Sequence, residues 1–182
     1  MSLKDNNNKF VKIIGIDPSI VSLGFSVIQG HSKCDDFVYT AGGVFEVPSD
    51  LDLASRYRRI RYFIETLCEI YNPDMFVIED VDFRPFIKRQ VQSYLFGSFA
   101  VILSAIPSYI GYYAIRKQKV NTILGLIERG KKKSSKQIKQ SVIKRYEKYL
   151  RGIKDKNKEH VADSIAVVEA FLKESDVGSL QV

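Results

Sequence analysis

Three observations predict an α/β fold, a mixed five-stranded sheet flanked by helices. Short β-branched runs alternate with longer segments whose apolar residues recur at helical spacing. Polar or proline-containing breaks separate these runs, and no internal repeat or long linker interrupts them. At 182 residues the chain also has the length of one core.

Phe10 to Asp17 is the first expected strand, stopped by Pro18 and Ser19. Gly24 to Gln29 and Asp36 to Val47 follow as two more, which suggests an antiparallel meander. Ser49, with Asp52 three residues on, is placed to cap a helix carrying Leu53, Tyr57, Ile60, Ile64 and Leu67 as far as Asn72 and Pro73. Asp74 to Glu79 reads as a strand that ends in a carboxylate. From Lys88 to Ala105 the apolar residues are too dense for one stripe, so that helix is either central in the core or half in a subunit interface. Tyr109 to Ile115 is the fifth strand. Ser134 or Ser135 opens a basic helix with Ile138, Val142, Tyr146 and Tyr149, and a last helix runs from near Lys158 to about Lys173. The domain is expected to span residues 10–175, between a flexible N-terminus at 1–9 and a C-terminal tail at 176–182.

The formal charge of +7 and pI near 9.3 favour a polyanionic partner, because a basic surface releases counterions from a phosphate backbone. The basic residues concentrate between Arg116 and Lys158. Cys34 and Cys68 lack the spacing of a zinc site. No leader-like segment precedes the first strand, and the apolar stretch Tyr94 to Ile106 falls short of the ~20 residues of a membrane span. A secretory route and a membrane span are therefore not expected, and the apolar stretch reads as a buried or interface helix.

Asp17 follows an apolar strand and either begins an Asx-turn with Ser19 or serves as a ligand at a sheet end. Glu79 follows Met75-Phe76-Val77-Ile78, where a charge is costly unless a cation accepts it; alternatively it opens a solvated loop with Asp80 and Asp82. His160 and Asp163, three apart, share a helix face, though each alone is ordinary near a helix N-terminus. The combination is what carries meaning. Four ligand-type side chains at three separated places suit two magnesium ions, with manganese a possible substitute, and phosphodiester hydrolysis uses such a pair. Lys131, Lys132 and Lys133 look like phosphate contacts that position a nucleic acid without reading it.

Ile14-Gly15-Ile16-Asp17-Pro18-Ser19, Phe76-Val77-Ile78-Glu79 and His160-Val161-Ala162-Asp163-Ser164-Ile165-Ala166 resemble, in order, the three catalytic motifs of the RuvC-type Holliday junction resolvases of the ribonuclease H-like superfamily. The likeness runs from Ile13 to about Phe171 and suggests a phage or plasmid-type member. It implies a ribonuclease H-like fold and a homodimer that cuts branched DNA with two metal ions. Asp17, Glu79 and Asp163 would be the acidic ligands, with His160 in the remaining position as ligand or proton carrier. By the same resemblance Lys119 and Lys136 would be basic residues serving the site. An aromatic shortly after Glu79 would stack in the opened junction; Phe83 and Phe86 are available, with Phe83 shifted by one residue behind Asp80 and Asp82. Such a protein would act in the cytoplasm of a bacterial or phage-infected cell.

Two other functional classes fit parts of the sequence. An actin-like ATPase shares a loop resembling Gly15-Ile16-Asp17, but it needs a second glycine-rich phosphate loop and about twice the length, and Gly42-Gly43 lacks the accompanying Asp and Thr. A non-catalytic branched-DNA-binding module of the same fold would have no need of the carboxylates.

Overall fold

The computed structural model describes residues 10–31, 36–81, 88–127 and 134–174. The expected flexible N-terminus at 1–9 and the tail at 176–182 lie outside the described residues. Five strands, β1 (Val11–Asp17), β2 (Ser22–Gly30), β3 (Phe37–Glu46), β4 (Met75–Asp80) and β5 (Gly111–Arg116), form one sheet in the order β3-β2-β1-β4-β5. The first three make the expected antiparallel meander, while β4 and β5 run parallel to β1.

Alternation along β1 and β4 sorts their side chains onto two faces. Ile14, Ile16, Phe76 and Ile78 enter the core under α1 (Leu53–Tyr71) and α2 (Arg89–Ala105). Ile13, Met75 and Val77 enter the opposite core, shared with α3 (Lys117–Ile123), α4 (Ser135–Arg145) and α5 (Asp155–Glu174). The period of two then carries Asp17 and Glu79 to the α5 side, at the carboxyl ends of adjacent parallel strands.

Several boundaries differ from the sequence expectation. Asp52, not Ser49, caps α1: its side chain accepts the Ser55 N–H at 2.9 Å. Asn72, in the left-handed region at φ 44°, ends the helix before Pro73. Ser134 caps α4 in a reciprocal box with Gln137, and α4 stops at Arg145, leaving Tyr149 in a 3-10 turn (Glu147–Tyr149). The short α3 was not anticipated, and α5 starts at Asp155, a turn earlier than Lys158.

The most deeply buried helix is α5, not α2. α2 leaves Val91 and Phe96 exposed, whereas every residue of α5 from Val161 to Leu172 is buried. Small residues explain the depth of α5. A Cβ on Gly15 would collide with the Ser164 carbonyl oxygen, and one on Gly24 would collide with the His160 backbone. Only glycine at those two strand positions lets the helix lie directly on the sheet.

Candidate active site

β1 and β4 pair Ile16 with Ile78, so the next residues, Asp17 and Glu79, stand side by side. Asp163 comes down from α5, and the three carboxylates each offer an oxygen within 4.8 Å of the others. Glu79 and Asp163 are buried, at 8% and 6% exposure, which sets aside the solvated-loop alternative for Glu79. The turn after β1 is made without Asp17, because Ser19 Oγ accepts the N–H groups of Val21 and Ser22 at 3.3 and 3.1 Å. Asp17 Oδ2 instead meets His160 Nδ1 at 2.7 Å.

Lys117, which the sequence reading did not single out, lies in this cluster. Glu79 pairs with Ile115 and Asp80 with Arg116 across β4 and β5, and the chain turns into α3 at the next residue. The Lys117 ammonium therefore donates to Asp163 Oδ2 at 2.6 Å and lies 3.4 Å from Glu79 Oε2. Lys119 points elsewhere: it is exposed and paired at 2.7 Å with Glu174, near the far end of α5. Lys136 is exposed in the first turn of α4, where Ser135, Ile138 and Lys139 line the cleft. Phe83, Phe86, Lys131, Lys132 and Lys133 lie outside the described residues.

Electrostatics follow from this crowding. Burial pushes Glu79 up to about 7; Lys117 opposes the rise, and the neighbouring Asp17 and Asp163 charges reinforce it. Asp163 is raised for the same leading reason, desolvation, against the pull of Lys117. Burial also works against the Lys117 charge, but Asp163, Glu79 and Asp17 outweigh it and hold the ammonium protonated well above its ordinary range. His160 is raised by its hydrogen bond to Asp17, with burial opposing. One ammonium thus offsets part of the charge of three crowded carboxylates. A hard divalent cation fits this donor set, since all three offer oxygen and like charges at such distances need a counterion.

The cluster lies in an open cleft of about 820 Å³ between the sheet end, α2, α3, α4 and α5. Its walls bring Asp80, Arg116, Lys139 and Glu159 around the acidic centre. Asp17, Glu79 and Asp163 all line this cleft.

Comparison with known proteins agrees with this geometry. The RuvC family profile, crossover junction endodeoxyribonuclease RuvC, matches residues 13–171. A crossover junction endodeoxyribonuclease RuvC from Janthinobacterium sp. (strain Marseille) is 37% identical over 71 residues, which is 39% of this chain and 38% of that protein. The alignable stretch thus spans well under half of the curated relatives. Thermus thermophilus RuvC, solved in complex with a Holliday junction substrate, superposes with a TM-score of 0.71 at 18% identity, covering 93% of this chain and 97% of that one. The yeast mitochondrial Holliday junction resolvase superposes at 0.61 with 13% identity, over 88% and 77% of the two chains. At such identities these neighbours show the fold, which is ribonuclease H-like, a five-stranded mixed sheet with helices on both faces. The family match covers most of the chain and contains all three strand-end and helix motifs: this protein belongs to the RuvC family of crossover junction endodeoxyribonucleases.

Proposed function

We propose that the protein is a magnesium-dependent, structure-selective endonuclease that cuts branched DNA, Holliday junctions or related forks and flaps, by hydrolysing a phosphodiester at the Asp17, Glu79 and Asp163 cluster. The observation that carries this reading is the meeting of three carboxylates from β1, β4 and α5 within 4.8 Å, in a cleft open to solvent. Its family supports the substrate class, and a RuvC relative of the same fold was solved bound to a Holliday junction.

Asp17, Glu79 and Asp163 would hold the metal. Two bound magnesium ions, or manganese in their place, supply Lewis acidity at the phosphorus and lower the pKa of an attacking water. The chain's own residues prepare the site. Lys117 neutralises Asp163 and Glu79 in the free protein, and its ammonium is then at hand for a phosphate oxygen. His160 donates Nδ1–H to Asp17 and lines the cleft, where it would serve as a fourth ligand or as a carrier for the proton of the leaving 3′ oxygen. Cleavage breaks the bond between phosphorus and that oxygen, leaving a 5′-phosphate and a 3′-hydroxyl.

The reading includes a homodimer, in which two-fold symmetry sets paired cuts in a four-way junction. The exposed Val91 and Phe96 of α2 support it. It also includes one nuclease domain over residues 10–175, phosphate contacts from Lys131, Lys132, Lys133 and Lys136, and junction stacking by Phe83 or Phe86. No described helix is long and apolar enough to cross a membrane. We place the protein in the cytoplasm of a bacterial or phage-infected cell. The test is a gel with labelled four-way junction, fork, flap and linear duplex, in magnesium or in chelator. Cutting of the branched substrates in magnesium alone is expected, with Asp17→Asn inert but still binding; an active Asp17→Asn, or cutting that survives chelation, would refute the assignment.

A further inference from the structure

We propose that the groove between the C-terminal half of α4, the 3-10 turn and the start of α5 is a second phosphate-binding surface, which seats the backbone of a duplex arm outside the cut strand. The inference rests on the reading of the protein as a branched-DNA nuclease and adds a site to it.

The groove has a volume of about 650 Å³ and is lined by Lys144, Lys148, Arg151 and Lys158, with Glu147 its sole acidic lining residue. The catalytic cleft has the opposite balance, with five carboxylates against Arg116, Lys117 and Lys139. A cleft so acidic attracts a polyanion weakly by itself, so the attraction must come from its surroundings. Among the described residues neither Lys144 nor Arg151 has an ion-pair partner, so both charges are available to a phosphate. Lys158 leans on Asp155 at 2.7 Å, and Lys148 lies 4.6 Å from the Tyr149 ring centroid.

Position adds to charge. α4 is the wall between the two cavities: Ser135, Ile138 and Lys139 face the cleft, and Gln140, Ile143 and Lys144 face the groove. On α5, Lys158 faces the groove while Glu159 and His160 face the cleft. From Ser135 to Lys144 a helix advances about 14 Å, close to the ~12 Å width of a DNA major groove. One strand of an arm at the cleft therefore puts its complement over the groove. The platform is fixed, because buried Glu169 of α5 accepts Arg145 and the Tyr146 hydroxyl, the latter at 2.7 Å, and so clamps the end of α4.

The test uses the full chain and a labelled four-way junction. Binding is measured by anisotropy in chelator across 50 to 200 mM salt, and cutting is measured at saturating protein in magnesium. Lys144→Ala with Arg151→Ala is expected to flatten the slope of log affinity against log salt by about 2, from ~0.9 per lost phosphate contact. Over that fourfold salt range the wild type then loses about tenfold more affinity than the variant. The cutting rate of bound junction should be unchanged, and the charge-preserving Lys144→Arg with Arg151→Lys should restore the slope. An unaltered slope in a variant whose wild type binds and cuts the junction overturns the second surface alone. A wild type that binds no junction overturns both readings.

Discussion

Removing one of the clustered carboxylates should make the metal-free protein more stable, and Glu79→Gln is the sharpest case. Glu79 sits at 8% exposure beside Asp17 and Asp163, and burial lifts it from an ordinary 4.5 to about 7. Between those pH values the folded protein keeps a proton that the unfolded chain has released. Stability from this group is fully present below 4.5 and is lost as pH rises through about 7. At roughly 1.4 kcal/mol per pH unit the loss comes to about 3 kcal/mol, an upper bound because a buried amide has its own cost. A glutamine cannot ionise, so at pH 8 in chelator the variant should melt higher, by about 5 °C or more for a domain of this size. At pH 4.5 the two proteins should melt together. Magnesium at a hundred times its Kd should close most of that gap, since the wild type would gain about 2.7 kcal/mol and the variant would lack a ligand. Differential scanning calorimetry at the two pH values decides the matter. A variant no more stable than wild type at pH 8, or equally stabilised at pH 4.5, would refute the electrostatic account.

Lys117→Met strips the ammonium that lies 2.6 Å from Asp163, so the chelated protein should lose several degrees of melting temperature at pH 8 and recover them in magnesium. A loss that magnesium does not restore would assign Lys117 to packing instead. Gly24→Ala drives a methyl group into the His160 backbone and should cost about 1–3 kcal/mol in urea unfolding, with cutting reduced more than junction binding; wild-type activity would show that α5 can retreat freely. Glu169→Ala strands Arg145 and the buried Tyr146 hydroxyl and should destabilise by about 3 kcal/mol, read from the same unfolding curves.

The strand-end carboxylates were legible because alternation and a terminal acid are both local signals: Phe76-Val77-Ile78-Glu79 announces a buried strand with a charge where none belongs. His160 and Asp163 were legible from helical spacing. Lys117 was not, because its place depends on the β4 to β5 register and on β5 running to Arg116 before turning at once into α3. Ending that strand at Ile115 left the next residues as unassigned basic chain, and Lys119 took the role on resemblance alone. The burial of α5 escaped for a related reason. Apolar density favoured α2, but Ala162, Ser164, Ala166 and Ala170 let α5 sink against Gly15 and Gly24, and closeness of backbones leaves no mark in a hydropathy pattern.

Asp17 and Glu79 stand on strands that precede α5 in the chain, and α5, which completes their cluster, follows all five strands. Without α5 seated on Gly15 and Gly24, neither Asp163 nor His160 reaches its companions. A copy with α5 locally unfolded therefore keeps Asp17 and Glu79 on the sheet but lacks the third carboxylate. The contact that closes the core also completes the acidic cluster, so loss of one is loss of the other.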